Sequence, residues 1–88
     1  MKVLFLNSFK KDLIKITNVK LKVQIKAVII AVEAAESLTA LPNIKKIQGY
    51  STAYRIRIGD YRLGLYLENG TVEMARLVKR NDIYKVFP

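Results

Sequence analysis

The sequence predicts an α+β domain in which an N-terminal strand and an αα-hairpin precede an antiparallel β-meander. Three observations predict it. Apolar residues recur at helical spacing in the first half of the chain. Apolar and basic residues alternate at period two from Tyr54 to Ile58, and two tight-turn signals, Gly59-Asp60 and Asn69-Gly70, separate the strands that follow. We expect the meander to form a twisted sheet with a basic cleft.

Length and composition narrow the possible functions. A chain of 88 residues is expected to form one domain over residues 1–88, and its formal net charge of +9 implies an acidic partner: nucleic acid, an acidic protein or an acidic membrane surface. The chain has no cysteine and no histidine, so we expect no metal site and no cofactor. Its apolar runs are too short for a bilayer span, which predicts a cytoplasmic protein without a membrane partner.

The N-terminal segment predicts a strand followed by a helix. Lys2 to Leu6 is almost wholly apolar, which is typical of a strand covered on both faces. Asn7 or Ser8 is expected to cap the helix that follows. Three apolar residues share one face of this helix: Phe9, Leu13 and Ile16.

A second helix is predicted from about Val19 to Ser37. Its apolar stripe consists of Leu21, Ile25, Val28, Val32 and Ala35. The short connection at Thr17-Asn18 predicts an antiparallel αα-hairpin. Both helices carry lysines outside the apolar stripes: Lys10, Lys11, Lys15, Lys20, Lys22 and Lys26. Such a surface is either simply solvated or binds a phosphate backbone without sequence preference.

The turn at Gly59-Asp60 fixes the register of the central hairpin. With a two-residue loop, Arg57 faces Arg62 and Arg55 faces Gly64, while the apolar residues share the other face. Like charges directly opposite each other destabilise a sheet by up to about 1 kcal/mol. We interpret the arginine face as an anion site with an open position at the glycine; a solvated face is the alternative.

The second turn places Leu65 opposite Met74 and Tyr66 opposite Glu73 on the arginine side. Strict alternation would put Arg76 on the apolar face, so we expect a bulge or the end of that face near it. Residues 38–49 are expected to be a connector with a short strand. In the tail, Asp82 is expected to cap a helical turn that Ile83 or Phe87 anchors.

The arginines are segregated from the first half of the chain, which carries lysine only. They are Arg55, Arg57, Arg62, Arg76 and Arg80. Guanidinium groups suit phosphate because their planar fork of donors matches two of its oxygens. Together with tyrosine they can bind a phosphodiester, stabilise charge that develops on it and move protons.

Three stretches resemble the RelE-type toxins of bacterial and archaeal toxin–antitoxin systems, including the plasmid-stabilisation branch. They are Tyr54 to Arg62, Thr71 to Val78 and Lys79 to Pro88, and the resemblance covers the whole chain. It implies a ribosome-dependent endoribonuclease that cleaves messenger RNA without metal, through attack of a ribose 2′-hydroxyl on the adjacent phosphate. It also implies a cognate acidic antitoxin in a toxin–antitoxin hetero-oligomer.

The resemblance assigns roles to individual residues. Arg62 would stabilise the phosphorane-like transition state, and Arg80 the phosphate or the leaving group. Arg55 and Arg57 would hold phosphate and aid proton transfer. Tyr84 would orient or deprotonate the nucleophile and stack on a base; the alternative is that it anchors the tail on the core.

The sequence departs from the family at Lys79, where many relatives have histidine. Contacts to RNA and the ribosome are predicted for Lys10, Lys11, Lys22, Lys26, Lys79 and Tyr66. Two other interpretations stay open: a ParE-type inhibitor of DNA gyrase, which has the same fold but lacks the arginine pair, and a RelE-like binding module without activity. The presence of both Arg62 and Arg80 favours RNA cleavage.

Overall fold

Five strands of one mixed sheet and three α-helices make up the fold, in a computed structural model that describes residues 1–88. The α+β prediction is confirmed. In chain order the elements are β1 (Lys2–Phe5), α1 (Asn7–Ile14), α2 (Val19–Ala34), a 3-10 turn (Leu38–Ala40), β2 (Ile44–Lys46), β3 (Ala53–Ile58), β4 (Tyr61–Glu68), β5 (Thr71–Lys79) and α3 (Arg80–Val86). None of the helices combines the length and the apolar character that crossing a membrane requires.

The sheet has the strand order β1-β5-β4-β3-β2. Strands β2 to β5 are antiparallel neighbours, so the meander is confirmed, and β1 pairs with β5 in parallel. Arg57 lies opposite Arg62 and Arg55 opposite Gly64, as the turn predicts. Gly59 has a φ of 57°, which glycine adopts without the steric cost that a Cβ would impose.

Helices α1 and α2 cover one face of the sheet and form the main core with it. The twelve buried residues of this core are Phe9, Ile16, Ile25, Val32, Leu38, Ile56, Ile58, Leu63, Leu65, Val72, Met74 and Leu77. The predicted stripe of α2 faces this core, with Ile25 and Val32 fully buried. Burying side chains of this size stabilises the fold by about 1.5–3 kcal/mol each.

A smaller core lies on the other face of the sheet, under α3. Ile83 and Phe87 pack there against Ala53 and Ala75, so both predicted anchors of the tail are confirmed. A Cβ on Gly64 would lie 2.6 Å from the Phe87 ring, closer than packed atoms approach. The glycine opposite Arg55 therefore makes room for Phe87, and our interpretation of it as an open position for an anion is wrong.

The predicted irregularity at Arg76 is a β-bulge. Gly64 pairs with Arg76 and Leu65 with Met74, which leaves Ala75 without a partner. Past the bulge, Arg76 Nε donates to Asp12 Oδ2 at 2.7 Å and Nη2 donates to Oδ1 at 3.2 Å. The Leu77 amide also donates to Asp12 Oδ2, at 2.9 Å. These bonds to Asp12 raise the pKa of Arg76 and fix α1 to the bulge.

Two expectations for the N-terminal segment are wrong. Strand β1 is an edge strand whose Leu4 and Phe5 side chains are 43% and 39% exposed, because only β5 pairs with it. No side chain caps α1: the cap position is Leu6. Ser8 Oγ instead donates to the Ala75 carbonyl at 2.6 Å, which ties the helix to the bulge.

The helix ends also differ in detail. Helix α2 ends at Ala34, three residues earlier than predicted. Asp82 does not cap α3 but lies in its first turn, and the cap position is Lys79. The Arg80 amide donates to the Asp60 carbonyl at 2.8 Å, so the turn between β3 and β4 holds the start of α3.

Candidate functional site

Four arginines and a tyrosine come together on the sheet face that carries α3; we call them the arginine cluster. Strand β3 carries Arg55 and Arg57, and strand β4 carries Arg62. In both strands the arginines alternate with buried apolar residues that face α1 and α2. Period-two alternation therefore directs all three to the opposite face. Helix α3 follows β5 without a loop and adds Arg80 and Tyr84.

Arg62 is at the centre of the arginine cluster. Its Nη1 donates to the carbonyls of Gly59 and Tyr61, at 2.8 and 2.9 Å, and its other donors bind no protein atom. Burial is the main cause that lowers the pKa of Arg62, followed by the charges of Arg80, Arg57 and Arg55, while Tyr84 opposes them. Arg62 stays protonated at neutral pH, so the cluster carries concentrated positive charge.

Arg55 and Tyr84 contact each other across the cluster. The guanidinium carbon of Arg55 lies 4.8 Å from the centroid of the Tyr84 ring, within the range of a cation–π interaction. Tyr84 is 65% exposed, whereas Ile83 on the same helix and Phe87 directly after it are buried. The alternative that Tyr84 anchors the tail on the core is therefore wrong, and its hydroxyl is available to a ligand.

Asn43 supports Arg57, a contact that the sequence analysis missed. Arg57 Nη2 donates to Asn43 Oδ1 at 3.0 Å, and the Arg57 amide donates to the Asn43 carbonyl at the same distance. Asn43 has a φ of 61°, a left-handed conformation that asparagine tolerates better than most residues. Its position directly after Pro42, in a turn, is the signal that sequence alone offered.

No carboxylate forms an ion pair with the arginine cluster. The ion pair of the chain joins Asp12 to Arg76, which lies outside the cluster. Four guanidinium groups without an acidic partner repel one another, and this repulsion is relieved when an anion binds among them. The arrangement suits an extended polyanion such as a phosphodiester.

Six further residues were predicted to contact RNA, and none of them is a member of the cluster. Lys79 lies opposite Tyr61 and lines two depressions, one with Asp12, Lys15 and Asp82 and one with Asp60, Arg80 and Asn81. Tyr66 lies on the arginine face, but its ring packs on Phe87 with a centroid distance of 5.0 Å. The other four are exposed on the helix layer, across the sheet from the cluster: Lys10, Lys11, Lys22 and Lys26.

Comparison with known proteins identifies the family. No family model matches the chain. Toxin RelE3 of Methanocaldococcus jannaschii is 40% identical over 89 residues, an alignment that covers both proteins completely. The chain belongs to the RelE family of toxins of toxin–antitoxin systems. This confirms the resemblance to RelE-type toxins that the sequence analysis found in the arginine-bearing strands and the tail.

Solved RelE-fold structures agree with this family assignment. The toxin in the crystal structure of the RelB-RelE antitoxin-toxin complex from Methanococcus jannaschii shares 36% identity with a TM-score of 0.81, over 97% of this chain and 99% of that one. YafQ from Escherichia coli strain BL21(DE3) is 15% identical with a TM-score of 0.68, over 94% and 97% of the two chains. YafQ shares the fold alone, so the RelE fold is kept while most of its residues change.

Proposed function

We propose that this RelE-family chain is a ribosome-dependent endoribonuclease that cleaves messenger RNA without a metal ion. The observation that supports it most is the arginine cluster, in which Arg55, Arg57 and Arg80 surround a half-buried Arg62 and none of the four forms an ion pair with a carboxylate. A ParE-type inhibitor of DNA gyrase would not need the pair formed by Arg62 and Arg80.

The proposed reaction is an internal transfer at one phosphodiester. The ribose 2′-oxygen attacks the adjacent phosphorus, a new P–O bond forms, and the bond from phosphorus to the 5′-oxygen breaks. Negative charge develops on the non-bridging oxygens as this happens. Arg62 and Arg80 would stabilise that charge, and one such preorganised donor commonly contributes about 10²–10³ in rate. Arg55 and Arg57 would hold the phosphate in place.

Proton transfer is assigned to Tyr84. Its exposed oxygen lies beside the Arg55 guanidinium and would orient the 2′-hydroxyl; in its deprotonated form it would take the proton of that hydroxyl. Arg80 would stabilise the negative charge on the departing 5′-oxygen until that oxygen takes a proton from water. Lys79 takes the family's frequent histidine position and lines a depression with Asp60, Arg80 and Asn81. We assign it a contact to RNA and leave the proton transfer to Tyr84.

The proposed partners follow from the charge. The ribosome would contact the lysines of the helix layer, Lys10, Lys11, Lys22 and Lys26, and the toxin would work in the cytoplasm. A cognate acidic antitoxin would cover the arginine cluster in a hetero-oligomer. The net charge of +9 and the RelB-RelE complex of the similar methanogen protein support such a partner.

Single-turnover cleavage of messenger RNA on programmed ribosomes tests the proposal. We expect Arg62→Ala to lower the cleavage rate by about 10²–10³ while the affinity for the ribosome changes by less than about threefold. Lys79→Ala is the matched control and should keep the wild-type rate. Lys10→Ala with Lys11→Ala should instead weaken ribosome binding, more at low salt than at high salt.

The same assay can reject the proposal. If the wild-type protein leaves messenger RNA intact on the ribosome but inhibits supercoiling by DNA gyrase, the chain is a ParE-type inhibitor. If it does neither and only binds RNA, it is a binding module without activity. Equal loss of rate in Arg62→Ala and Lys79→Ala would remove the special role of Arg62.

A further inference from the structure

Helix α2 is apolar on its solvent face as well as on its core face. Val19, Val23 and Ile30 are 75%, 64% and 53% exposed. With a rotation of 100° per residue about the helix axis, the three side chains lie within about 40° of one another. They point directly away from Ile25 and Val32, which face the core. Ala27 and Ala34, also exposed, extend the same line. We call these five residues the outer α2 stripe.

The outer α2 stripe is unusual for a helix on the surface of a monomer. A solvated helix normally presents charged or polar residues opposite its core face, so an exposed apolar line at this position is a candidate interaction site. The alanines among the larger residues leave a shallow path on which another helix can approach closely. The stripe lies across the sheet from the arginine cluster, so the proposed RNA chemistry does not account for it.

Basic side chains border the stripe on both sides. At 100° per residue Lys22 and Lys26 lie along one flank and Lys20 along the other, and all three are exposed. Glu33 is the one acid on these flanks. An apolar line between basic rims is complementary to a helix with an apolar line between acidic rims.

We propose that the outer α2 stripe is the docking site for an acidic amphipathic helix of a partner protein. Such a helix would place its apolar residues on Val19, Val23 and Ile30 and its carboxylates against Lys20, Lys22 and Lys26. The inference rests on the proposed function for the identity of the partner, the acidic antitoxin. It adds a second contact on the face away from the active site, where a bound helix also masks lysines proposed to contact the ribosome.

A second copy of the chain fits the stripe less well. A stripe about 24 Å long and about 10 Å wide gives a footprint of roughly 240 Å² per copy, against about 800 Å² per partner in a stable interface. Two chains of net charge +9 would also bring their lysine rims together. An acidic chain that reaches both the stripe and the arginine cluster avoids both difficulties.

The test measures binding of the full chain to the product of a reading frame adjacent to its own, used as the proposed antitoxin. We expect Val23→Glu with Ile30→Glu to raise the Kd about 100-fold, because docking would bury two carboxylates against apolar and acidic neighbours. Lys22→Glu with Lys26→Glu should raise it about tenfold, and more at low salt. Ile14→Glu is the matched control: Ile14 is 80% exposed but lies outside α2, and its variant should bind like the wild type.

The outcomes separate this inference from the proposed function. If the Val23→Glu, Ile30→Glu variant binds as well as the wild type, the proposed docking site is rejected and the proposed partner is retained. If the wild type does not bind, both the partner and the docking site are rejected, and this result does not depend on the cleavage assay. If sedimentation shows that the wild type alone is a dimer and that Val23→Glu with Ile30→Glu dissociates it, the stripe joins two copies instead. Circular dichroism of each variant verifies that the changes, all at exposed positions, leave the fold intact.

Discussion

The charge on Arg62 has a stability cost in the free protein. Burial and the charges of Arg80, Arg57 and Arg55 lower the pKa of Arg62, which means that folding disfavours its protonated form. A base with a lowered folded pKa loses stability at every pH below that value, and guanidinium remains protonated throughout the neutral range. The arginine cluster therefore lowers the stability of the free protein, as is common at functional sites.

A substitution at Arg62 should consequently leave the fold as stable as the wild type or slightly more stable. We expect Arg62→Gln to raise the free energy of unfolding by no more than about 1 kcal/mol, because solvent screens a half-buried charge. The increase should be the same from about pH 5 to about pH 9, since the guanidinium does not titrate there. Urea denaturation across this range measures it. A clear loss of stability would mean that the bonds to the Gly59 and Tyr61 carbonyls outweigh the repulsion.

Removing one oxygen from Tyr84 separates its chemistry from its contact with Arg55. Tyr84→Phe keeps an aromatic ring under the guanidinium, so the position of Arg55 should not change. If the hydroxyl moves the proton, single-turnover cleavage should slow by about 10²–10⁴. Tyr50→Phe, at another exposed tyrosine, is the control. A wild-type rate in Tyr84→Phe would assign the proton to another group.

At the scale of residues, the sequence predicted contacts between residues close to the same turn. It did not predict contacts between residues that are far apart in the sequence. The pairing of Arg57 with Arg62 followed from a two-residue loop, which leaves one register. The irregularity at Arg76 followed from broken alternation. Its partner, Asp12, lies 64 positions away and stands among lysines in the sequence, so nothing local distinguished it from a solvated carboxylate.

At the scale of elements, helix α3 determines whether the arginine cluster is complete. It supplies Arg80 and Tyr84, and its place on the sheet depends on Phe87 filling the space above Gly64. The sequence predicted the anchors of this helix but not the reason for the glycine, because the ring that fills the space lies 23 positions further along. The edge position of β1 was missed for a similar reason: an apolar run does not tell which strand will pair with it.

Filling the space above Gly64 should loosen α3 selectively. Gly64→Ala places a Cβ about where the Phe87 ring lies, so we expect the stability of α3 docking to fall by about 1–3 kcal/mol. Hydrogen exchange of the amides in residues 80–86 should accelerate while that of α1 and α2 is unchanged. Cleavage should slow because Arg80 and Tyr84 are displaced.

A double-mutant cycle verifies the cause of that loosening. In a Phe87→Ala background the clash is absent, so Gly64→Ala should add little further destabilisation. Additive effects of the two substitutions would show that the alanine acts on the strand itself and not on α3.

At the scale of the whole molecule, positive charge covers both faces of the sheet. Arginines lie on the α3 side and lysines on the helix layer, and the folded chain measures 32 × 27 × 23 Å. Two unit charges about 20 Å apart in water repel by only about 0.2 kcal/mol, but many such pairs act together in a chain of net charge +9. The unfolded chain spreads the same charges over a larger volume, so this repulsion opposes folding.

Simple salt should therefore stabilise the free toxin. At about 0.01 M the screening length is about 30 Å, which spans the whole molecule, and at about 0.1 M it is about 10 Å. We expect the free energy of unfolding to rise by on the order of 1 kcal/mol between these sodium chloride concentrations, measured by urea denaturation. Lys10→Glu with Lys11→Glu lowers the formal net charge by four and should reduce the rise. A stability that falls with salt in the wild type would mean that favourable ion pairs outweigh the repulsion, which a chain with one ion pair gives little reason to expect.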